Sequence, residues 1–372
     1  MKIAVYGANG YTGRLVVAEL SRRGIGTVLV GRGLARLREA AAEAAAAEAE
    51  TRVAGVDDTA ALAGAFRGCD AVINCAGPFV ASGEAVVRAA IRAGCHYVDI
   101  AGEQLYLKRI HDTFAAEAAN AGVTVVPGVN DDGLPSDLIA HLAARRVAPV
   151  TELVIALDLT RGGAAPSRGT LRSALANLGT LTGGGLTFRD GDWLPDVPVR
   201  RTSVVFPCGP EPVPAARFPL PGVVTVPRHV PARYVEGVVG ADLVAAFSAV
   251  TPELVDGLPD GPSEDARLGG RWTVVAEATG RDGRSARGVV SAPDTYGSTA
   301  VIAVESARRL VVDGAEPGVP APAQAYDPTG FLDFLTGHGA TWTLEVEPAG
   351  RDEAGAVPGG TGPPGTARVR SC

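Results

Sequence analysis

Gly7, Gly10 and Gly13 stand in the run Ile3-Ala-Val-Tyr-Gly7-Ala-Asn9-Gly10-Tyr11-Thr12-Gly13-Arg14, between a short apolar strand and an alanine- and leucine-rich helix. At this spacing Gly7 permits a tight turn and Gly10 lets the backbone approach a pyrophosphate. Gly13 lets helix and strand pack closely, with the phosphate charge resting on the helix N-terminus. The pattern G-x-x-G-x-x-G is one residue looser than the standard dinucleotide fingerprint. Asn9, Tyr11 and Thr12 belong to the same turn. The next strand, Thr27-Val-Leu-Val-Gly31-Arg32, lacks the terminal acid that would take ribose hydroxyls and offers Arg32 and, one helical turn later, Arg36. Guanidinium groups there suit a 2′-phosphate, so the expected cofactor is NADP(H). Asp57 has two readings, a contact to the adenine or an N-cap for the helix near Thr59. Asn74-Cys-Ala76-Gly77-Pro78-Phe79 follows the fourth strand at the carboxyl edge, where Gly77 and Pro78 would let the chain pass under the ribose or nicotinamide.

Candidates for catalysis follow later strands. Tyr97 and Asp99 alternate on the fifth strand and share a face, in a site or as a locally satisfied structural pair. Glu103 stands at a helix start, where a carboxylate serves either an active site or the helix dipole. In the turn Asn130-Asp131-Asp132-Gly133, Asp131 is a substrate contact or a turn former. Ser167-Arg168-Gly169-Thr170 reads as a capped helix start at which Arg168, free N–H groups and the dipole converge on an anion such as a carboxylate, or as an ordinary cap with an exposed arginine.

Several chemistries are excluded. Lys2 and Lys108 are the only lysines, and no tyrosine is followed four residues later by lysine, which removes the short-chain dehydrogenase proton relay and makes Schiff-base catalysis unlooked-for. Five scattered cysteines form no C-x-x-C pair and five scattered histidines no ligand spacing, so no metal site is expected and the histidines read as structural. A net charge of −7 gives no electrostatic footprint for nucleic acid. No run of about eighteen apolar residues occurs and the first strand begins at Lys2, so neither a membrane span nor a signal peptide is expected and a cytoplasmic location is.

The elements that must position these residues alternate: strands near 2–6, 27–31, 52–56, 70–75, 96–100 and 123–126, helices near 13–23, 34–49, 59–67, 83–94 and 104–121. This is an α/β, doubly wound parallel sheet, Rossmann-like, over residues 1–149. A second α+β domain for substrate and dimerisation is expected over 150–294, with a helix near 169–179 and a hairpin turning at Arg281-Asp-Gly-Arg284. Helices in 295–340, including an apolar one at 295–312, would pack back on the first domain. The Gly/Pro/Ala-rich tail 348–372 reads as disordered.

Taken together, Gly7-x-x-Gly10-Tyr11-Thr12-Gly13, Gly31-Arg32, Asn74 to Phe79, Tyr97-Val-Asp99-x-x-Gly102-Glu103, Gly128 to Asp137 and Ser167 to Thr170 make the chain resemble the saccharopine dehydrogenase-like oxidoreductases over roughly residues 1–340. The resemblance implies that Asp131 corresponds to the substrate-contacting aspartate of a G-x-D-P-G turn, with Asp132 in place of the proline. It also implies that Arg168 matches an arginine associated with a substrate carboxylate. The leading expectation is an NADPH-dependent reductase acting on an imine of an amino-acid-like small molecule, with Asp131 or Glu103 orienting the iminium and Arg168 fixing a carboxylate. Alternatives are an enoyl reductase acting on a chain held by a carrier protein, and a non-catalytic NADP-sensing regulator. A homodimer is expected.

Overall fold

The computed structural model describes every residue except 47, 160–164, 208, 210 and 350–372. The tail from 350 on, Cys208 and Cys372 lie outside the described residues.

The first layer is β1 (Lys2–Tyr6), α1 (Tyr11–Arg22), β2 (Gly26–Gly31), α2 (Leu34–Glu43), β3 (Glu50–Val53), α3 (Thr59–Phe66), β4 (Ala71–Asn74), α4 (Phe79–Ala93), β5 (His96–Asp99), α5 (Gln104–Asn120) and β6 (Val125–Val126). All six strands are parallel in the order β3-β2-β1-β4-β5-β6, so the chain reverses direction between β1 and β4 and opens a crevice at the carboxyl edge. Ile3, Val5, Leu29, Ile73 and Val98 line one face and Ala4, Val28, Val30, Val72 and Tyr97 the other, all buried, as a sheet covered on both sides requires.

Two boundaries differ from expectation for physical reasons. The helix expected over 34–49 stops at Glu43, because Ala45 turns left-handed (φ 50°) and the Ala46 N–H closes back on the Ala41 carbonyl at 2.8 Å. Half-buried Ala46 and Ala49 then pack on the core and lead into β3. The helix expected from 83 begins at Phe79 instead, because the Glu103 carboxylate accepts from the Phe79 and Val80 N–H groups at 2.8 and 2.7 Å. That is a cap supplied from another element.

The second layer starts with α6 (Leu134–Val147), which sequence placed with the first domain but which packs on the second sheet. That sheet takes in β7 (Val150–Asp158), β8 (Thr187–Arg189), β9 (Asp192–Leu194), β10 (Ser203–Val204), β11 (Val213–Arg217), β12 (Tyr234–Gly240), β13 (Arg271–Gly280), β14 (Ser285–Pro293) and β15 (Thr341–Glu347). Its order is β10-β11-β12-β7-β13-β14-β15, with the β8–β9 hairpin attached to β12; β7 and β12 run parallel and the remaining pairs antiparallel. Around it lie α7 (Arg168–Ala176), α8 (Leu178–Thr182), α9 (Gly222–Thr225), α10 (Ala241–Ser248), α11 (Pro252–Asp256), α12 (Glu264–Gly269), α13 (Thr295–Val312), α14 (Pro322–Ala325) and α15 (Pro328–Thr336). The single helix expected near 169–179 is two, α7 and α8, divided at Asn177, whose side chain bonds back to the Ser173 carbonyl.

α13 returns to the first layer and packs on α1, β4 and β5. Arg23, which ends α1 as its C-cap, spans Glu19 and the buried Glu305 of α13, at 2.6 and 2.7 Å. The histidines are less scattered than their sequence positions: His229 Nε2 meets Asp137 of α6 at 3.0 Å while its Nδ1 faces His141 Nδ1 at 3.1 Å.

Candidate active site

A cleft of about 910 Å³ runs between the carboxyl edge of the first sheet and the second layer. Its floor is the glycine turn. Gly7 is left-handed (φ 78°), and a Cβ there would stand 2.9 Å from Ala76. A Cβ on Gly13 would stand 2.2 Å from the Gly7 carbonyl, which is why helix and strand can pack this closely. No side chain caps α1, so its first N–H groups face the cleft beside Asn9, Gly10, Tyr11 and Thr12. Arg32, just past β2, and Arg36, in the first turn of α2, line the cleft with no hydrogen bond or ion pair among the described residues. A cradle that only glycine fits, joined to two unpaired guanidiniums, matches a dinucleotide carrying a 2′-phosphate.

Other expected cofactor residues are distributed differently. Ala76 and Gly77 line the cleft; Pro78 precedes α4 and does not. Asn74 is buried, its Oδ1 accepting from the Ala76 N–H and its amide donating to the Tyr97 hydroxyl. It shapes the loop from below. Asp57 is exposed, off the cleft, and not the cap: Asp58 accepts from the Ala60 and Ala61 N–H groups. Tyr97 and Asp99 resolve as the structural pair. The buried Asp99 carboxylate accepts from Tyr97 and Tyr106 at 2.8 and 2.7 Å and from the Ala101 and Gly128 N–H groups, tying the ends of β5 and β6 together.

The reactive end is defined by the turn after β6. Asp131, 8% exposed, accepts the Thr299 hydroxyl at 2.9 Å, and Thr299 in return accepts the Asp131 N–H at 3.2 Å. Asp132 lines the same cleft, and its Oδ1 is buried with no hydrogen-bond partner among the described residues. Burial pushes both carboxyls above the usual range, Asp131 further because the Asp132 charge adds to it. Thr299 belongs to α13 and Asp132 reads in sequence only as a substitution for proline; neither carries a signal of its own. Glu103 faces the cleft with both oxygens held by the α4 N-terminus.

The opposite wall carries an apolar patch of Leu157, Leu159, Leu181, Phe218, Leu243 and Phe247, set among polar residues that include Arg172, Ser173, Asn177, Thr180 and Arg271. Ser167 caps α7 as expected, through the Thr170 N–H. Arg168 faces the cleft, but its guanidinium donates to the Leu258 carbonyl at 3.0 and 2.5 Å and pairs with Asp260 at 3.3 Å. Asp260 also pairs with Arg14 of α1 at 3.1 Å, the Tyr11 hydroxyl donates to the Pro262 carbonyl, and a Cβ on Gly261 would strike the Tyr11 ring. Residues 258–262 thus strap the second layer over the glycine turn.

Fold and cradle define a dinucleotide-binding protein of the doubly wound class. Residues 3–126 match the family model described as the saccharopine dehydrogenase NADP binding domain, which gives NADP(H) as the cofactor. Among curated relatives, a "Saccharopine dehydrogenase-like oxidoreductase" of Mus musculus is 27% identical over 196 residues, 48% of this chain and 46% of its own length. A "Trans-acting enoyl reductase" of Mycobacterium ulcerans is 30% identical over 151 residues, 40% of this chain and 36% of its own. The chain matches less than half the length of these relatives. The fold extends further: apo saccharopine dehydrogenase (L-Glu forming) from Saccharomyces cerevisiae superposes over 93% of this chain and 99% of that one, with TM-score 0.59 and 16% identity. No described helix is long and apolar enough to cross a membrane.

Proposed function

We propose that the chain is an NADPH-dependent reductase that acts on a polarised double bond in a substrate with an apolar body, best met by an enoyl compound. The observation carrying this reading is Asp131, a buried carboxyl tied to Thr299 that lines a cofactor cleft bearing an apolar patch on its far wall, where burial favours its neutral form. When bound, the nicotinamide supplies the hydride. Reduction of a conjugated double bond moves its π electrons toward the substrate oxygen, and a neutral Asp131 donates its proton to that developing charge. Thr299 fixes the carboxyl from one side while Glu103 fixes the start of α4 at the cleft edge, so positioning is built in before substrate enters. The apolar patch on the far wall would receive the substrate body.

The imine reading drew its amino-acid-like substrate from Arg168, and Arg168 is already satisfied by Leu258 and Asp260. The test is NADPH consumption against medium- and long-chain enoyl thioesters, and in parallel against amines paired with 2-oxo acids. Turnover of the thioesters, abolished in Asp131→Asn and nearly unchanged in KM by Arg168→Leu, is the expected result. Turnover of the amine and oxo-acid pairs alone, with Arg168→Leu raising KM, would replace this reading by imine reduction.

A further inference from the structure

The Asp131 carboxyl has one oxygen on Thr299 and takes no other hydrogen bond from a neighbouring side chain among the described residues. Beside it, Asp132 presents a buried oxygen with no donor among them. A buried carboxylate oxygen without a donor is costly, and two adjacent carboxyls lining one cleft cannot both ionise cheaply when they are withdrawn from water. We propose that Asp132 is the positioning partner of Asp131: the pair holds one proton between them, kept on Asp131 by the Asp132 charge until the substrate takes it. This deepens the proposed reduction and rests on it for its catalytic meaning, although the pair itself can be examined without substrate.

The surroundings leave the proton on the pair. Glu103 is occupied by the α4 N–H groups, Asp99 by Tyr97 and Tyr106, and the cations Arg168 and Arg271 by Leu258, Asp260 and Ser291. Burial raises the Cys75 thiol above its ordinary value, so it adds no charge near neutrality. Tyr296 spends its hydroxyl on the Ser167 N–H and Thr170. Within the pair, the reciprocal Thr299 contact makes Asp131 the fixed member. The proton moves as H⁺ from the Asp131 carboxyl to the substrate, and solvent restores it after product leaves.

Infrared difference titration of the full chain tests this in the absence of substrate. The carbonyl band of a protonated carboxyl should persist above pH 7, vanish in Asp131→Asn, and in Asp132→Asn titrate at least one pH unit lower, with Asp132→Glu restoring the wild-type midpoint. Asp99 and Asp294, also raised by burial, remain in every variant and subtract out. Circular dichroism confirms folding, and Asp132→Ser serves if the asparagine variant fails to fold. A midpoint unmoved by removal of the Asp132 charge, or no Asp131-dependent band at pH 7, overturns the pairing. If the band shifts as expected but no enoyl thioester is reduced, the pairing stands and the reaction falls.

Discussion

At the residue scale, cofactor choice rests on two side chains that no described residue satisfies. Arg32 and Arg36 stand unpaired at the cleft rim, whereas most arginines of this acidic chain have a carboxylate or carbonyl partner. A charge-assisted hydrogen bond to a 2′-phosphate contributes about 1.5–3 kcal/mol. Arg32→Ala should therefore lower the preference for NADP(H) over NAD(H) by about tenfold or more, measured as a ratio of dissociation constants. An unchanged ratio would place the 2′-phosphate elsewhere. Gly10 makes the complementary case. A Cβ there would meet only the Gly7 carbonyl, at 3.2 Å, so Gly10→Val should fold, retain its far-ultraviolet circular dichroism and lose NADPH binding by fluorescence titration. Cofactor binding by that folded variant would mean the pyrophosphate does not cross this turn.

At the element scale, the strap over residues 258–262 sets an acid against the anion-binding end of α1. Asp260 bridges Arg14 and Arg168 and places negative charge near N–H groups that a pyrophosphate needs. Asp260→Asn should tighten NADP(H) by about two- to fivefold, in line with a charge near a helix terminus, and speed both association and release in stopped-flow fluorescence. Slower association would show that the strap guides the cofactor in. Elements of this kind were not legible in sequence. The glycine turn, the six strands and Arg32 were, because each depends on residues within one turn or one strand. The early start of α4 depends on Glu103, 24 residues beyond Phe79, and the Asp131 contact on Thr299, 168 residues on. Arg168 looked free because its acceptor, the Leu258 carbonyl, lies 90 residues away on a loop with no motif. Asp57 was one residue off the true cap, since either aspartate satisfies the same local pattern.

At the scale of the whole molecule, the cleft exists only while two sheets keep their relative placement, and α6 is the element that passes between them. Its Asp137 is fully buried and accepts from His229, which follows α9, and from the Ala323 N–H of α14, so one carboxylate joins three segments. Burial opposes charge on both partners, but their mutual attraction wins: His229 is raised above 6.5 and Asp137 lowered below 3.8. The stability His229 contributes is fully present below pH 6.5 and lost as pH rises through its raised folded value. The Asp137 contribution is present above pH 3.8 and lost as acid carries pH through its lowered folded value. The unfolding temperature should thus be highest between these limits and fall toward alkaline pH. Asp131 adds to that decline from a lower starting pH, because a buried acid with a raised folded value costs stability once pH exceeds the ordinary carboxylate range. That cost grows until pH passes its folded value of about 8 and is constant beyond, so the two groups are separable by substitution. His229→Leu leaves a buried carboxylate with one partner fewer, costing about 3 kcal/mol or roughly 4 °C near pH 6 for a chain of this length. It should also remove the part of the alkaline decline that belongs to His229, while Asp131→Asn leaves that part in place. A His229→Leu protein as stable as wild type at pH 6, with the same slope above it, would mean that the contact is ornamental and that apolar packing on α6 alone holds the two sheets around the cleft.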